Sequence, residues 1–197
     1  MKYCKQCLTT NLRPNSSFKN GVCIACNYSE SDVRFNSAVK LKVLQEKIQK
    51  SRQKQRNKGA YDSIVGVSGG KDSTRQAHWV RDRLGLRPLL VCCAYPPKQM
   101  SEIGANNLSN LIELGFDIVV ATPAPQTAAH LALESFKQFG NVCKSTEMSL
   151  FSTVPRLAIE LGVNTIFWGE NPGLQLGDMK TMGRNGYDGN NLINLNT

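Results

Sequence analysis

The chain has 197 residues, of which 41% are hydrophobic and 20% charged, so it can bury the core of an ordinary domain and is not composed like a disordered segment. Its longest apolar run, 89–95, is too short to cross a bilayer, and the first ten residues lack the apolar stretch of a signal peptide. We therefore expect a cytoplasmic protein without a membrane span, whose seven cysteines are metal ligands or free thiols rather than disulfides.

The formal net charge of +9 is concentrated in one segment of the chain. Residues 40–58 carry eight Lys or Arg and a single Glu, which gives this segment a charge of +7. A nucleic acid would have to bind there, but a solvated helix face that joins two parts of the chain is the simpler interpretation. Nucleic acid is therefore not expected as a partner.

Two CxxC pairs, separated by fifteen residues, lie near the N-terminus in a stretch (1–28) that otherwise reads as loop. Two such pairs supply four thiolates in tetrahedral geometry, which is typical of a structural zinc site. A segment this short and this poor in large apolar residues needs a cross-link such as a bound metal ion in order to fold. The spacing leaves an iron–sulfur cluster open as the alternative. The predicted metal ligands are Cys4, Cys7, Cys23 and Cys26.

The next stretch predicts a helix over 36–56, followed by alternating strands and helices. Strands are predicted at 63–67, 89–93, 117–121 and 165–168, and helices at 73–84, 101–114, 127–139 and 150–161. A glycine follows the last apolar position of each of these four helices, at Gly85, Gly115, Gly140 and Gly162.

This order predicts an α/β fold with a doubly wound parallel sheet, because strands that alternate with helices form βαβ units. The predicted organisation is a zinc-knuckle module (1–30), a basic helix or linker (31–59) and a nucleotide-binding domain (60–197).

The first predicted strand of that domain ends in the sequence SGGKDS, residues 68–73. It is not a Walker loop, because the glycine spacing is one residue short and an aspartate follows the lysine. A glycine-rich turn between a buried strand and a helix directs backbone N–H groups and the positive helix end towards an anion. Lys71 would neutralise phosphate charge. Asp72 would act as a helix cap or through a Mg²⁺ ion that bridges the phosphates.

Residues after two other strands are predicted to reach the same edge of the sheet, where ligands of open parallel sheets bind. Gly169, Glu170 and Asn171 follow the last strand and are candidates to contact the nucleotide. Residues 94–97 follow the second strand and are candidates to cover an adenine.

The SGGKDS motif resembles the PP-loop of the ATP pyrophosphatase superfamily, whose pattern is SGGxDS. This resemblance implies that the loop holds the β,γ-pyrophosphate while the α–β bond of ATP is broken, giving AMP and pyrophosphate. It implies a PP-loop fold, ATP and Mg²⁺ as cofactors beside the predicted Zn²⁺, and catalytic roles for Lys71 and Asp72. The implied ATP-binding residues of the loop are Ser68, Gly69, Gly70, Lys71, Asp72 and Ser73.

Further phrases of the sequence resemble the N-acetyl sugar amidotransferases of bacterial surface-polysaccharide biosynthesis. These are the paired CxxC elements, YDSIVGVSGGKDST, LGLRPLLV, LIELGFD and WGENP. The resemblance runs from Tyr3 to about Pro172 and implies conversion of the N-acetyl group of an activated sugar into an acetamidino group. It also implies a separate glutaminase and an ammonia-channel partner.

Two alternatives accompany this interpretation. Some tRNA-thiolating enzymes also join cysteine knuckles to an SGGKDS domain, and in that case Cys143 would handle sulfur. The amidotransferases usually continue well beyond the WGENP element, whereas here a polar stretch of 25 residues follows it. The third interpretation is therefore a shortened, inactive form that only binds nucleotide.

Overall fold

The computed structural model describes residues 1–12, 16–33, 37–55 and 59–169. The described residues fall into two compact units, 1–43 and 44–169. No helix in these ranges combines the length and the apolar character that a bilayer crossing requires.

The first unit contains a short hairpin and a helix. Strands β1 (Phe18–Lys19) and β2 (Val22–Cys23) pair antiparallel, and α1 (Ile24–Val33) follows directly. The turn between the strands is Asn20–Gly21, with φ of 55° and 79°. Two positive φ values are what a two-residue hairpin turn with the correct twist requires, and Asn-Gly is the pair that adopts them most readily. The expectation that 1–28 is loop throughout is therefore wrong, because this local signal creates regular structure.

Helix α2 (Ser37–Lys54) agrees with the helix predicted over 36–56 and crosses the division between the two units. Within the second unit, Leu44 and Ile48 of this helix pack into the core. Their spacing of four residues places them on one face, and the three polar residues between them, 45–47, are exposed to solvent.

The second unit is a four-stranded parallel sheet with helices between its strands. The strands are β3 (Ser63–Gly66), β4 (Pro88–Cys93), β5 (Ile118–Ala121) and β6 (Ile166–Trp168). The helices are α3 (Lys71–His78), α4 (Glu102–Glu113), α5 (Pro125–Phe139) and α6 (Cys143–Leu161). A π-helical turn, Trp79–Arg83, extends α3, and a 3₁₀ turn, Pro97–Gln99, precedes α4. The strand order is β5-β4-β3-β6, with every pairing parallel.

Side chains of the central strands alternate between two cores, one on each face of the sheet. Val65 and Leu90 point towards α2, α3 and α4, whereas Ile64 and Val91 point towards α6. A strand with both faces covered must be apolar at every position, which explains the continuous runs in β3 and β4. Helices on both faces confirm the predicted α/β class with a doubly wound parallel sheet.

Helix α6 begins seven residues before the predicted start at 150. Its first two turns are polar, so the sequence there suggests a loop rather than a helix. In the structure the hydroxyls are satisfied inside the helix, because Ser145 Oγ donates to the Val142 carbonyl (3.0 Å) and Ser149 Oγ to the Ser145 carbonyl (2.9 Å). Cys143 is consequently the first residue of α6.

Candidate functional site

The loop after β3 lies where the strand order of the sheet reverses. From β3 the chain proceeds to β4 and β5 on one side, and it returns to β6 on the other side. Ligands of open parallel sheets bind at this switch point, outside the carboxyl ends of the strands. The SGGKDS segment therefore occupies the position in the fold that favours ligand binding most.

Two close approaches bring the end of β6 against this loop. A Cβ atom on Gly66 would lie 2.9 Å from the Trp168 indole, and a Cβ on Gly169 would lie 3.1 Å from Ser73 Cα. A side chain at Gly66 would force the indole to move, and one at Gly169 would be in tight contact with Ser73. The residue after the last strand, Gly169, therefore lies against Ser73 at the start of α3. Glu170 and Asn171 lie outside the described residues.

Hydrogen bonds within the loop fix its path. Ser73 Oγ donates to the Gly70 carbonyl (3.2 Å) and accepts from the Ser68 amide (3.4 Å). The Gly70 amide donates to Ser68 Oγ at 3.4 Å, and Thr74 Oγ1 donates to the Gly69 carbonyl at the same distance. The two serines thus support the loop backbone from both ends, in addition to any contact that they make with a ligand.

The N-terminus of α3 has no capping side chain. Its N-cap residue is Gly70, and Asp72 lies in the first turn without capping a backbone N–H group. The helix-cap role considered for Asp72 is therefore wrong in this structure. The first N–H groups of a helix have no acceptor within the helix, and here an anion can take the place of the cap.

Lys71 and Asp72 form an ion pair at the mouth of the loop. Lys71 Nζ lies 3.2 Å from Asp72 Oδ2, and the two side chains are 89% and 65% exposed. An ion pair this exposed contributes at most about 1 kcal/mol, so an incoming polyphosphate can separate it. Lys71 is then available to the phosphate oxygens, and the Asp72 carboxylate offers the oxygen ligand that Mg²⁺ prefers.

A cavity of about 280 Å³ opens at the carboxyl ends of β4 and β5, beside α5 and α6. The residues predicted to follow the second strand, Ala94 to Pro96, form part of its wall, and α6 contributes three hydroxyls. The hydroxyls belong to Ser145, Thr146 and Ser149. Sequence reasoning missed this contribution because it placed the start of α6 after these residues. The signal that could have revealed them is the helical spacing of Ser145 and Ser149, four residues apart.

The remaining cysteines of the second unit differ from one another. Cys92 is buried in the core next to α2 and α3, and burial raises the pKa of its thiol to about 11. It is therefore a core residue and not a reactive one. Cys93 lines the cavity, and Cys143 is exposed at the first turn of α6.

The four N-terminal cysteines are placed to hold a single metal ion such as zinc. Their sulfur atoms all lie within 4.8 Å of one another, with 4.0 Å between Cys4 and Cys26 and 3.6 Å between Cys7 and Cys23. Four sulfurs bound about 2.3 Å from one tetrahedral ion would be about 3.8 Å apart. A four-iron cluster would separate the sulfurs further, because each cysteine then binds a different iron. The geometry thus fits one ion better than a cluster.

The surroundings of the four thiols shift their pKa values in different directions, as Cys4 and Cys26 illustrate. The amide of Cys23 donates to Cys4 Sγ (3.2 Å) and lowers the pKa of Cys4 to about 6. Burial raises the pKa of Cys26, with a further contribution from the neighbouring thiols. Four adjacent thiolates repel one another, so full deprotonation of the set requires a cation.

The sequence matches no protein-family model and no curated protein. Three solved structures illustrate what the fold is similar to. A glutamine-dependent NAD+ synthetase from Acinetobacter baumannii, in complex with ADP, is 19% identical with a TM-score of 0.48, over 66% of this chain and 26% of that chain. An NH3-dependent NAD synthetase from Campylobacter jejuni is 16% identical with a TM-score of 0.45, over 69% of this chain and 59% of that chain.

The third is the U34-tRNA thiolase NcsA from Methanococcus maripaludis with its [4Fe-4S] cluster. It is 15% identical with a TM-score of 0.44, over 94% of this chain and 63% of that chain. The present chain thus spans less than two thirds of each of these structures. Likeness at this level carries no information on activity or ligand.

Proposed function

We propose that the chain is an ATP-dependent N-acetyl sugar amidotransferase. It converts ATP to AMP and pyrophosphate and uses the AMP to activate the acetamido oxygen of an activated sugar. Ammonia then replaces that oxygen, which leaves an acetamidino sugar for surface-polysaccharide biosynthesis.

The observation that carries the nucleotide part of the proposal is the uncapped N-terminus of α3 behind the SGGKDS loop. Backbone N–H groups and the helix dipole favour an anion there, and they lie at the switch point of the sheet. The loop of residues 68–73 then binds the β- and γ-phosphates, with Gly169 close behind it.

Lys71 and Asp72 would be the catalytic residues. Lys71 moves from Asp72 to the phosphates, where its charge stabilises the departing pyrophosphate. Asp72 would hold Mg²⁺, and the ion would supply further stabilisation of phosphate charge. The nucleoside end of ATP would occupy the cavity beside Ala94 and α6, whose walls are largely apolar with hydroxyls on one side.

The acceptor chemistry follows from the need to make an amide oxygen a leaving group. The acetamido oxygen attacks the α-phosphorus, the α–β bond breaks, and pyrophosphate leaves. Ammonia adds to the carbon of the resulting cationic imidate, AMP departs with the former amide oxygen, and loss of one proton leaves the amidinium cation. The sequence phrases shared with the sugar enzymes support this acceptor.

Ammonia would come from a separate glutaminase through an ammonia-channel partner. The Cys4, Cys7, Cys23 and Cys26 site would hold structural Zn²⁺, because its four thiolates leave no open coordination position. The proposal places the enzyme in the cytoplasm, where thiols stay reduced.

The test is release of AMP and pyrophosphate from ATP in the presence of ammonium and a panel of nucleotide-linked N-acetyl sugars. A parallel reaction contains bulk tRNA and a sulfur donor. AMP that depends on both sugar and ammonium is the expected result. AMP formed only with tRNA would replace the proposal by tRNA thiolation, and ATP binding without AMP in either reaction would mean a nucleotide-binding protein.

We predict that Asp72→Ala lowers AMP formation by at least 100-fold, since removal of one electrostatic stabiliser of the transition state costs about that much. The matched control is Glu113→Ala, which removes an exposed carboxylate at the end of α4. Quench-flow or coupled assays of AMP measure both variants. Normal AMP formation by the Asp72→Ala variant would contradict the assignment of the 68–73 loop as the site of ATP cleavage.

A further inference from the structure

The second turn of α4 lies directly against the phosphate loop. A Cβ atom built on Gly69 would be 2.8 Å from Asn107 Cβ and 3.2 Å from the Asn107 carbonyl oxygen. Gly69 has a φ of +77°, so the loop turns sharply at the point where α4 approaches it. Asn107 is thus the residue of α4 that lies next to Gly69.

The side chain of Asn107 is half-buried, and it makes no hydrogen bond to another residue in the described part of the chain. Other polar residues of the helix have a local explanation. Ser101 caps α4 by accepting from the Gly104 amide at 3.1 Å, and Asn106 and Asn110 are exposed to water. An amide group that is partly withdrawn from water, without a protein partner, retains its hydrogen-bonding capacity for a ligand.

Helix stability does not explain an asparagine at this position. Asparagine is among the poorer helix formers, because its side chain competes for backbone hydrogen bonds, and Ala or Leu would serve the helix better. Packing does not require it either, since the contact with Gly69 involves Cβ and the main chain, which every residue except glycine has.

We propose that Asn107 is a direct contact for the polyphosphate, with its side-chain N–H group donating to an oxygen of the β,γ-pyrophosphate. This inference rests on the proposed function, because it requires the SGGKDS loop to bind the nucleotide. The loop then approaches the phosphates through backbone N–H groups and Lys71, and α4 adds a neutral donor from its own side. An amide suits this role because it donates without repelling an anion, whereas a carboxylate would repel it.

The first measurement is binding of ATP, pyrophosphate and AMP to the wild-type chain by isothermal titration calorimetry. If the wild type binds neither ATP nor pyrophosphate, the proposed function fails, and the failure is visible before any variant is made. If both bind, Asn107→Ala is expected to weaken ATP and pyrophosphate about tenfold, since a hydrogen bond to a charged group is lost. AMP, which lacks the β- and γ-phosphates, should bind as before.

Asn107→Asp keeps the size of the side chain but replaces the donor by a carboxylate. It is expected to weaken ATP more than Asn107→Ala does, again with AMP unchanged. Asn110→Ala is the matched control, because it removes an exposed asparagine from the same helix three residues further on. Thermal melts of all variants verify that the fold is retained. Wild-type affinity for ATP in Asn107→Ala, or equal losses for ATP and AMP, would overturn the inference and leave Asn107 as a packing residue.

Discussion

The backbone conformation of the 68–73 loop requires glycine at position 69. Its φ of +77° lies in the left-handed region, and a Cβ there would also collide with Asn107. The left-handed conformation costs an ordinary residue about 1–2 kcal/mol, and the collision with a helix backbone adds to it. The loop can therefore keep its shape only with glycine at this position.

We predict that Gly69→Ala loses at least tenfold in ATP affinity, because the loop must shift away from α4 and its N–H groups lose their alignment. The matched control is Gly85→Ala, which also has a positive φ (+62°) but nothing within 4 Å of a new Cβ. That control should lose only about 1 kcal/mol of stability and bind ATP normally. Calorimetry and urea unfolding on both variants measure the two effects. Equal ATP affinities would mean that the loop does not hold the nucleotide.

Asp62 holds three elements of the second unit together. It lies just before β3 and is 8% exposed, and Arg87, just before β4, donates to it through the main-chain N–H (3.2 Å) and the guanidinium. Arg52 of α2 also approaches it, at 3.4 Å. Burial opposes ionisation of this carboxyl, but the hydrogen bonds and charges of the arginines prevail, and its pKa lies below the ordinary 3.8.

We predict that Asp62→Asn lowers the free energy of unfolding by about 1–2 kcal/mol at pH 7, discounted for the exposure of both arginines. A depressed pKa stabilises the fold above the unfolded pKa, and this contribution disappears as the pH falls below about 3.9 towards the folded value. The difference between variant and wild type should therefore shrink at about pH 3. Urea unfolding at both pH values tests this, with Glu113→Gln as the exposed control. A difference that persists undiminished in acid would contradict the ionic explanation.

At the scale of the elements, the sequence predicts most boundaries closely. The four glycines that end helices all have positive φ, between 62° and 82°. This agreement arises because a helix stop is a local property of one residue. The start of α6, in contrast, is not a local property of one residue. Its polar first turns are stabilised by hydroxyl–carbonyl hydrogen bonds that only an already formed helix provides, so the sequence pattern did not predict it.

At the scale of the whole molecule, the two units differ in how much apolar core they bury. The second unit has two apolar cores, one on each face of its sheet. In the first unit, the buried hydrophobic residues of the described part are Cys4 and Cys23, which belong to the thiol cluster. A metal ion can replace a missing apolar core, because its binding energy becomes folding energy.

We predict that metal removal unfolds the N-terminal module and leaves 44–169 folded. A chelator should therefore expose the first 43 residues to proteolysis while a fragment that begins near Leu44 persists. Cys7→Ser should show the same pattern and lose its metal, whereas Cys143→Ser, which alters an exposed cysteine outside the cluster, should retain one ion per chain. Elemental analysis distinguishes zinc from iron. A Cys7→Ser protein with full metal content would exclude the four-thiol site.

The sequence alone predicted the α/β class, the position of the loop 68–73 after a strand and the grouping of the four N-terminal cysteines, because each depends on neighbouring residues or on a short spacing. Only the tertiary structure decided which distant residues meet these features. The contact of Gly69 with Asn107, the fit of Gly66 against Trp168 and the place of the α6 hydroxyls in the cavity wall join residues far apart in the chain. Such contacts depend on how whole helices pack on the sheet. The packing arrangement is decided by many small interaction energies added over the whole unit, and no local sequence pattern encodes their total.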